Sequence, residues 1–421
     1  MIVNSYDEYH NLVERMNREA HMCTPIFRDV HLHNVINTVL CVGYTFLTNN
    51  EFYIVSITSV DAPSFEIPQH TKLTITDEQI NINAYISNIS IPSLEDVNTL
   101  YVQNVYNTFR EMHDINRIIP ITVWSQIIRT YHKQLITLMQ NKTDTNNIFI
   151  TNAISTLRRI ERAGLAVDMK KFDEYFENKS NRYVKNGLVY SQYYPYTMTG
   201  RPSNRFGGIN FAALNKSDGS RSAFISRFEN GGLLQLDFES YHLRLIAHYM
   251  KVDVPNEPIH QYLAKQYFGK DDITQEEYDE GKQITFGILY GADVETDIQL
   301  LQSIKQLSNK IYSDYKVKGL VAPISGRQIN VPNQDAVENK LFNYFVQNYE
   351  FEVTIPRIAK LLDYLENKES KLILYTYDAV LLDCPKTEIN EIEAAARAIL
   401  SDDTFPVRVY EGMNYNEMSL K

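Results

Sequence analysis

The chain has 421 residues, 44% hydrophobic and 22% charged, an ordinary globular composition with room for two to four domains. No apolar run nears the ~20 residues of a membrane helix, and Met1 to Glu19 is too polar for a secretory signal, so neither is indicated and an intracellular, cytoplasmic setting is expected. The three cysteines (Cys23, Cys41, Cys384) lack metal-type spacing, and a net charge of −11 weighs against a nucleic-acid partner unless a basic groove is confined to one region.

From Thr24 to Val60 the pattern predicts strand, turn, strand, with the turn at Asn49-Asn50. Ser64 to Ser93 carries Pro and Asn and reads as loop, whereas apolar positions recurring at three and four predict helix over Leu100–Leu138. The polar string Lys142 to Asn147 is the linker candidate. Asn152 to Phe176 reads as helix interrupted at Gly164, followed by a Tyr-rich stretch ending Thr199-Gly200-Arg201. Arg158, Arg159, Arg162, Lys170, Lys171, Lys179, Arg182, Lys185 and Arg201 cluster here, and on charge alone a solvated helix face accounts for them. Next come a strand ending at Asp237, a helix through His242, Arg244 and His248, and helices over 257–268 and 275–290. A long helix over 335–366 precedes a hairpin centred on Asp378.

Three of these segments carry chemistry. Apolar residues alternate around Gln235 in Leu233–Phe238, as in a strand with one buried face, and Asp237 sits where it gives way to helix. Alternation on both sides of Tyr377-Asp378 places that pair at the tip of a two-residue hairpin. Either aspartate alone is an ordinary turn residue. Side by side, the two carboxylates could hold a pair of Mg²⁺ ions about 3.5–4 Å apart. Between them lies a helix opened by a capping box, Thr274-x-x-Glu277, in which Tyr278, Lys282, Phe286 and Tyr290 share one face. A cation flanked by aromatics can hold a triphosphate and stack a base, although an aromatic core stripe with one snorkelling lysine is the plainer reading of an isolated segment. Gly281 and Gly287 each cost the helix ~1 kcal/mol and predict close backbone approach.

Together these residues resemble the family A DNA polymerases over positions 150–421. Asp237-Phe238-x₄-Leu243-Arg244-x₂-Ala247-His248 is similar to the family's first palm motif. Lys282-x₃-Phe286-Gly287-x₂-Tyr290-Gly291 is similar to its fingers motif, and Tyr377-Asp378 stands in place of its His-Asp. Thr199-Gly200-Arg201 with Asn210, and Phe342-Asn343-x₂-Val346-Gln347, resemble segments that touch primer–template DNA; His260 falls where the family has a triphosphate-binding histidine.

The resemblance implies an α/β (α+β) right-hand polymerase fold: a much reduced thumb over 147–195, a palm over 196–250 and 330–421, and fingers over 251–329. It implies a DNA polymerase extending a primer 3′-hydroxyl with dNTPs, two Mg²⁺ ions held by Asp237, Asp378 and the Phe238 carbonyl, and Lys282 on the triphosphate as general acid. His242, His260, Phe286 and Tyr290 would contact the nucleotide, and Arg201, Asn210, Asn343 and Gln347 the DNA. All of this requires Asp237 and Asp378 to meet in space.

The departures carry expectations of their own. His242 replaces the glutamate that excludes ribose, Tyr278 replaces a second triphosphate arginine, and Ala379 replaces an accessory carboxylate. Phe286 implies poor use of dideoxynucleotides, and the few residues between Gly164 and Thr199 imply short synthetic runs unless a processivity or replisome partner clamps the DNA. Residues 1–146 are similar in position to the family's RNase H-like 3′–5′ exonuclease domain, but Asp29-x-His31 and Tyr101-x₃-Val105 lack two of its carboxylates, which implies a degenerate domain without proofreading; an unrelated α/β domain is the alternative reading. Small size and missing proofreading lean toward a virus-encoded enzyme. Two other readings stand beside this one: an inactive DNA-binding scaffold, against which Asp237, Asp378 and Lys282 speak, and a polymerase with relaxed sugar choice.

Overall fold

The computed structural model describes residues 1–19, 21–27, 39–58, 61–66, 75–77, 82–83, 85–86, 120–140, 148–177, 184–191, 193–194, 197–206, 209–255, 257–289, 291–292, 295–329 and 331–421. The linker candidate at 142–147 and the residues Asp29, His31, Tyr101, Val105, Lys179, Arg182 and Tyr290 lie outside them. The chain divides into two compact units, Met1–Thr151 and Asn152–Lys421.

In the first unit, strands His21–Phe27, Val39–Phe46 and Phe52–Ser56 form an antiparallel meander. The helix Ile121–Gln140 lies against it at Gly43, where a Cβ would come within 2.6 Å of Ile128 Cγ2. His132 on that helix is buried and bonded to the hydroxyls of Thr24 and Thr45, each at 2.8 Å. Burial pushes its pKa down to about 3, so a neutral imidazole joins the two strands. A helix over Tyr6–Met16, capped by Ser5, was not expected from so polar a stretch. Its apolar positions Leu12 and Met16 are buried and pack with Val42, Tyr44 and Val55.

The second unit is built on a five-stranded antiparallel sheet in the order Lys371–Tyr375, Ala379–Cys384, Gly232–Phe238, Val407–Gly412, Met418–Leu420. The strand Gly232–Phe238 is central, and Leu233, Leu234 and Leu236 are all buried. Leu233 and Leu381 belong to a core shared with Ile373, Leu374 and Phe224. Asp383 at the far end of the neighbouring strand is fully buried and accepts from Ser226 Oγ and from Arg227 N and Nε. The remaining Arg227 nitrogens donate to the carbonyls of Ala163 and Gly164, closing the end of the helix Ile148–Ala163.

A second core joins the helices Tyr241–Met250, Ile259–Phe268, Gln275–Leu289, Gln299–Lys318 and the long Glu338–Tyr364 through Leu243, Leu263, Ile288, Leu301, Leu341 and Phe345. Several differences from the sequence reading are physical. The stretch read as one interrupted helix becomes helix, the strand Leu165–Val167 and a short helix from Met169, because Gly164 turns at φ +65° and Asp168 caps the restart. Gln299–Lys318 is an additional helix. Gly281 does meet a neighbour, since its Cβ would lie 3.0 Å from Ala264, but a Cβ at Gly287 would meet only Ala292 at 3.5 Å, so no close approach is needed there.

Candidate active site

The central strand and the hairpin bring the two aspartates together. Asp237 pairs across the sheet with Ala379, and the next amide, Phe238 N–H, donates to the Asp378 carbonyl at 2.8 Å. Thr376 N–H bonds to the Ala379 carbonyl at 2.8 Å, leaving Tyr377 and Asp378 as the turn residues, with Tyr377 at φ +72° as a primed hairpin turn needs. Burial and then the Asp378 carboxylate push the Asp237 pKa up to about 6, against the pull of Lys216, Arg408 and Gln235. Burial and then Glu350 also raise Asp378. Two neighbouring carboxylates are thus withdrawn from water with their charges opposed, an arrangement relieved by a proton or a cation.

Period-two alternation sets what else faces this end of the sheet. Leu233, Gln235 and Asp237 lie on one side of the central strand; toward Leu233 that side is closed core, and toward Asp237 it opens into a cleft of about 360 Å³. On the adjoining strand Arg408 stands opposite Asp237, and Tyr410 opposite Gln235. The cleft is lined by Arg201, Asp237, Phe238, His242, His260, Tyr278, Lys282, Phe286, Glu350, Asp378 and Arg408, among others. Eight residues chosen from the sequence therefore converge here. Asn210, Asn343 and Gln347 are not among the lining residues.

The helix side of the cleft is cationic and aromatic. Its capping box forms: Thr274 N–H donates to Glu277 Oε2 at 3.0 Å, and Glu277 N–H to Thr274 Oγ1 at 3.3 Å. Lys282 Nζ sits 5.9 Å from the centroid of the Phe286 ring, which in turn lies 5.4 Å from His260. His260 is 9% exposed and its Nδ1 finds no partner among the described residues. Burial and then Lys282 lower its pKa to about 4, so it is neutral at pH 7.

Among the lining residues not chosen from the sequence are Glu350 and Arg408. Glu350 is fully buried, bonds His242 Nε2 at 3.1 Å and contacts Arg201 Nε at 3.1 Å. It follows Asn343 and Gln347 at helical spacing, but the same helix also carries Glu338, Lys340, Glu352 and Arg357, so no local signal set Glu350 apart. Arg408 is 42% exposed; its guanidinium donates no hydrogen bond among the described residues, and its ion-pair contact with Glu239 is 3.6 Å long. Glu239 is satisfied instead by the buried Arg244, at 2.8 Å. Of the basic cluster, Arg158 is buried against Glu161 and the Tyr193 carbonyl, and Arg201 lies 3.7 Å over the Tyr377 ring, so neither belongs to a solvated face.

The donors suit Mg²⁺ rather than a soft metal: both aspartates offer hard oxygen ligands and their mutual repulsion calls for positive charge. Among the described residues no three His, Cys, Asp or Glu side chains form a metal cage, so most of the coordination would fall to water and substrate oxygens, as Mg²⁺ accepts. Among those residues no helix is long and apolar enough to cross a membrane.

No protein-family model matches the chain. It is 24% identical over 241 residues to the thermostable DNA polymerase I of Thermus thermophilus, covering 48% of this chain and 28% of that protein. It is 23% identical over 366 residues to DNA polymerase I of Lactococcus lactis subsp. cremoris, covering 75% of this chain and 41% of the relative. The chain thus spans less than half the length of these curated relatives. Its fold is similar, at a TM-score of 0.68 and 11% identity over 99% of both chains, to the POL domain of Pol1 from M. smegmatis, solved in complex with DNA primer-template and dNTP. The chain is thus similar in sequence to DNA polymerase I proteins and shares a mixed α/β fold with a DNA polymerase POL domain, the likeness expected of a family A DNA polymerase.

Proposed function

We propose that the chain is a template-directed DNA polymerase, in which a primer 3′-oxygen attacks the α-phosphorus of a dNTP, forming the phosphodiester and breaking the α–β bridge to release pyrophosphate. The observation that carries this reading is the meeting of Asp237 and Asp378 at the floor of a cleft whose facing helix presents Lys282. On this reading the five-stranded sheet and the long helix are the palm, and the helices from Ile259 to Lys318 are the fingers. The thumb is reduced to the segment before Thr199, and the first unit is a degenerate exonuclease-like domain that does not proofread.

Asp237 and Asp378 would hold two Mg²⁺ ions, with the Phe238 carbonyl as a further ligand. When bound, such a pair activates the attacking hydroxyl and neutralises the departing phosphate. Lys282 balances charge on the triphosphate and gives a proton to the leaving pyrophosphate. Neutral His260 donates a hydrogen bond to a phosphate oxygen, and Phe286 packs against the incoming base. Arg408 supplies, from the sheet, the second cation that Tyr278 does not provide from the helix. His242 occupies the sugar side and excludes a 2′-hydroxyl by bulk. Arg201, with Asn210, Asn343 and Gln347, tracks the primer–template; minor-groove acceptors lie in similar places for every correct pair, so such contacts check shape without reading sequence.

Primer extension with dNTPs, beside Asp378→Ala, tests the reading. Template-dependent extension by the wild type and none by the variant is the expected result; a wild-type chain that binds primed DNA without extending it would make it a scaffold instead.

A further inference from the structure

A carboxylate withdrawn completely from water is costly unless paired, and unpairing it is costlier still. Glu350 is such a group, and its partners come from two separate segments. His242 Nε2, on the helix Tyr241–Met250, lies 3.1 Å from Oε2. Arg201, from the Thr199-Gly200-Arg201 turn, brings Nε to 3.1 Å of the same oxygen and Nη2 to 3.5 Å of Oε1. That turn is itself tied to the long helix, because Asn348 Nδ2 donates to the Thr199 carbonyl at 2.7 Å. A carboxylate can only accept, so Nε2 is the protonated nitrogen of His242 and the ring is held in one orientation across the cleft.

We infer that Glu350 is the positioning residue through which this site selects the nucleotide sugar. By gripping the His242 imidazole from behind while anchored by Arg201, it keeps the ring where a 2′-hydroxyl would have to sit. The inference rests on the polymerase reading above. An imidazole without that grip is free to rotate, and the space it vacates admits a ribonucleotide. Sugar choice is then decided by a residue on another helix from the one that meets the sugar.

The test is the ratio of kcat/KM for a dNTP to that for the matching rNTP, measured on the full chain with primed template. Glu350→Met, of similar length but unable to accept a hydrogen bond, lowers the ratio about tenfold or more, chiefly through a lower KM for the rNTP. Glu350→Gln restores a neutral acceptor and falls between Met and wild type. In a His242→Ala background Glu350→Met changes the ratio no further, because no ring remains to be held. A thermal melt accompanies each variant, and Glu350→Gln carries the test if the Met chain does not fold. A folded variant with the wild-type ratio, or an equal fall in the His242→Ala background, overturns the inference while leaving the polymerase intact. A wild-type chain that extends no primer overturns both.

Discussion

Replacing Asp237 by Asn should stabilise the protein in the absence of divalent cations while abolishing extension. The carboxyl is pushed up from 3.8 to about 6 by burial and by Asp378, which corresponds to about 3 kcal/mol against the ionised form at neutral pH. Because the folded value lies above the unfolded one for an acid, this destabilisation is complete above pH 6, shrinks as pH falls, and is gone below pH 3.8. Asparagine keeps the shape without the charge. Melts in EDTA at pH 7.5 should therefore place Asp237→Asn above wild type by roughly 5–10 °C, with the two converging near pH 4. Added Mg²⁺ should raise the wild type and not the variant, since binding to the folded state alone stabilises it. A variant melting at or below wild type in EDTA at pH 7.5 would show that the two carboxylates do not strain each other, and the argument for a cation between them would fail.

Lys282→Ala should lower kcat by about two to four orders of magnitude, the usual worth of a positioned general acid, measured by single-nucleotide incorporation. Arg408→Ala should raise the dNTP KM about tenfold or more with a smaller effect on kcat, as loss of a charged hydrogen bond to the phosphates would; an unchanged KM would remove Arg408 from the triphosphate. Arg227→Ala should destabilise the second unit by about 3–5 kcal/mol in urea melts, because it leaves Asp383 buried without its cation. On a long primed template with excess competitor DNA, the chain alone should give short products; kilobase products from one binding event would refute the reduced thumb.

The sequence alone determined the type of most of the elements that matter and the identity of most groups in the cleft. Alternation ending in Asp237, the paired runs around Tyr377-Asp378 and the capping box at Thr274 are local signals, set by neighbours two to four residues away, and such signals survive in a one-dimensional reading. Asp237 and Asp378 could be chosen by type, but their adjacency, 141 positions apart in the chain, belongs to the register that pairs Asp237 with Ala379. Glu350 and Arg408 escaped for the same reason: one is a carboxylate among several charges on a long helix, the other an arginine on a strand, and only tertiary packing turns both toward the aspartates. Gly287 shows the converse, a glycine whose sequence context implied crowding and whose surroundings are open. Spacing along the chain can report a shared face; which face meets which is decided by the burial of cores assembled from segments more than a hundred residues apart.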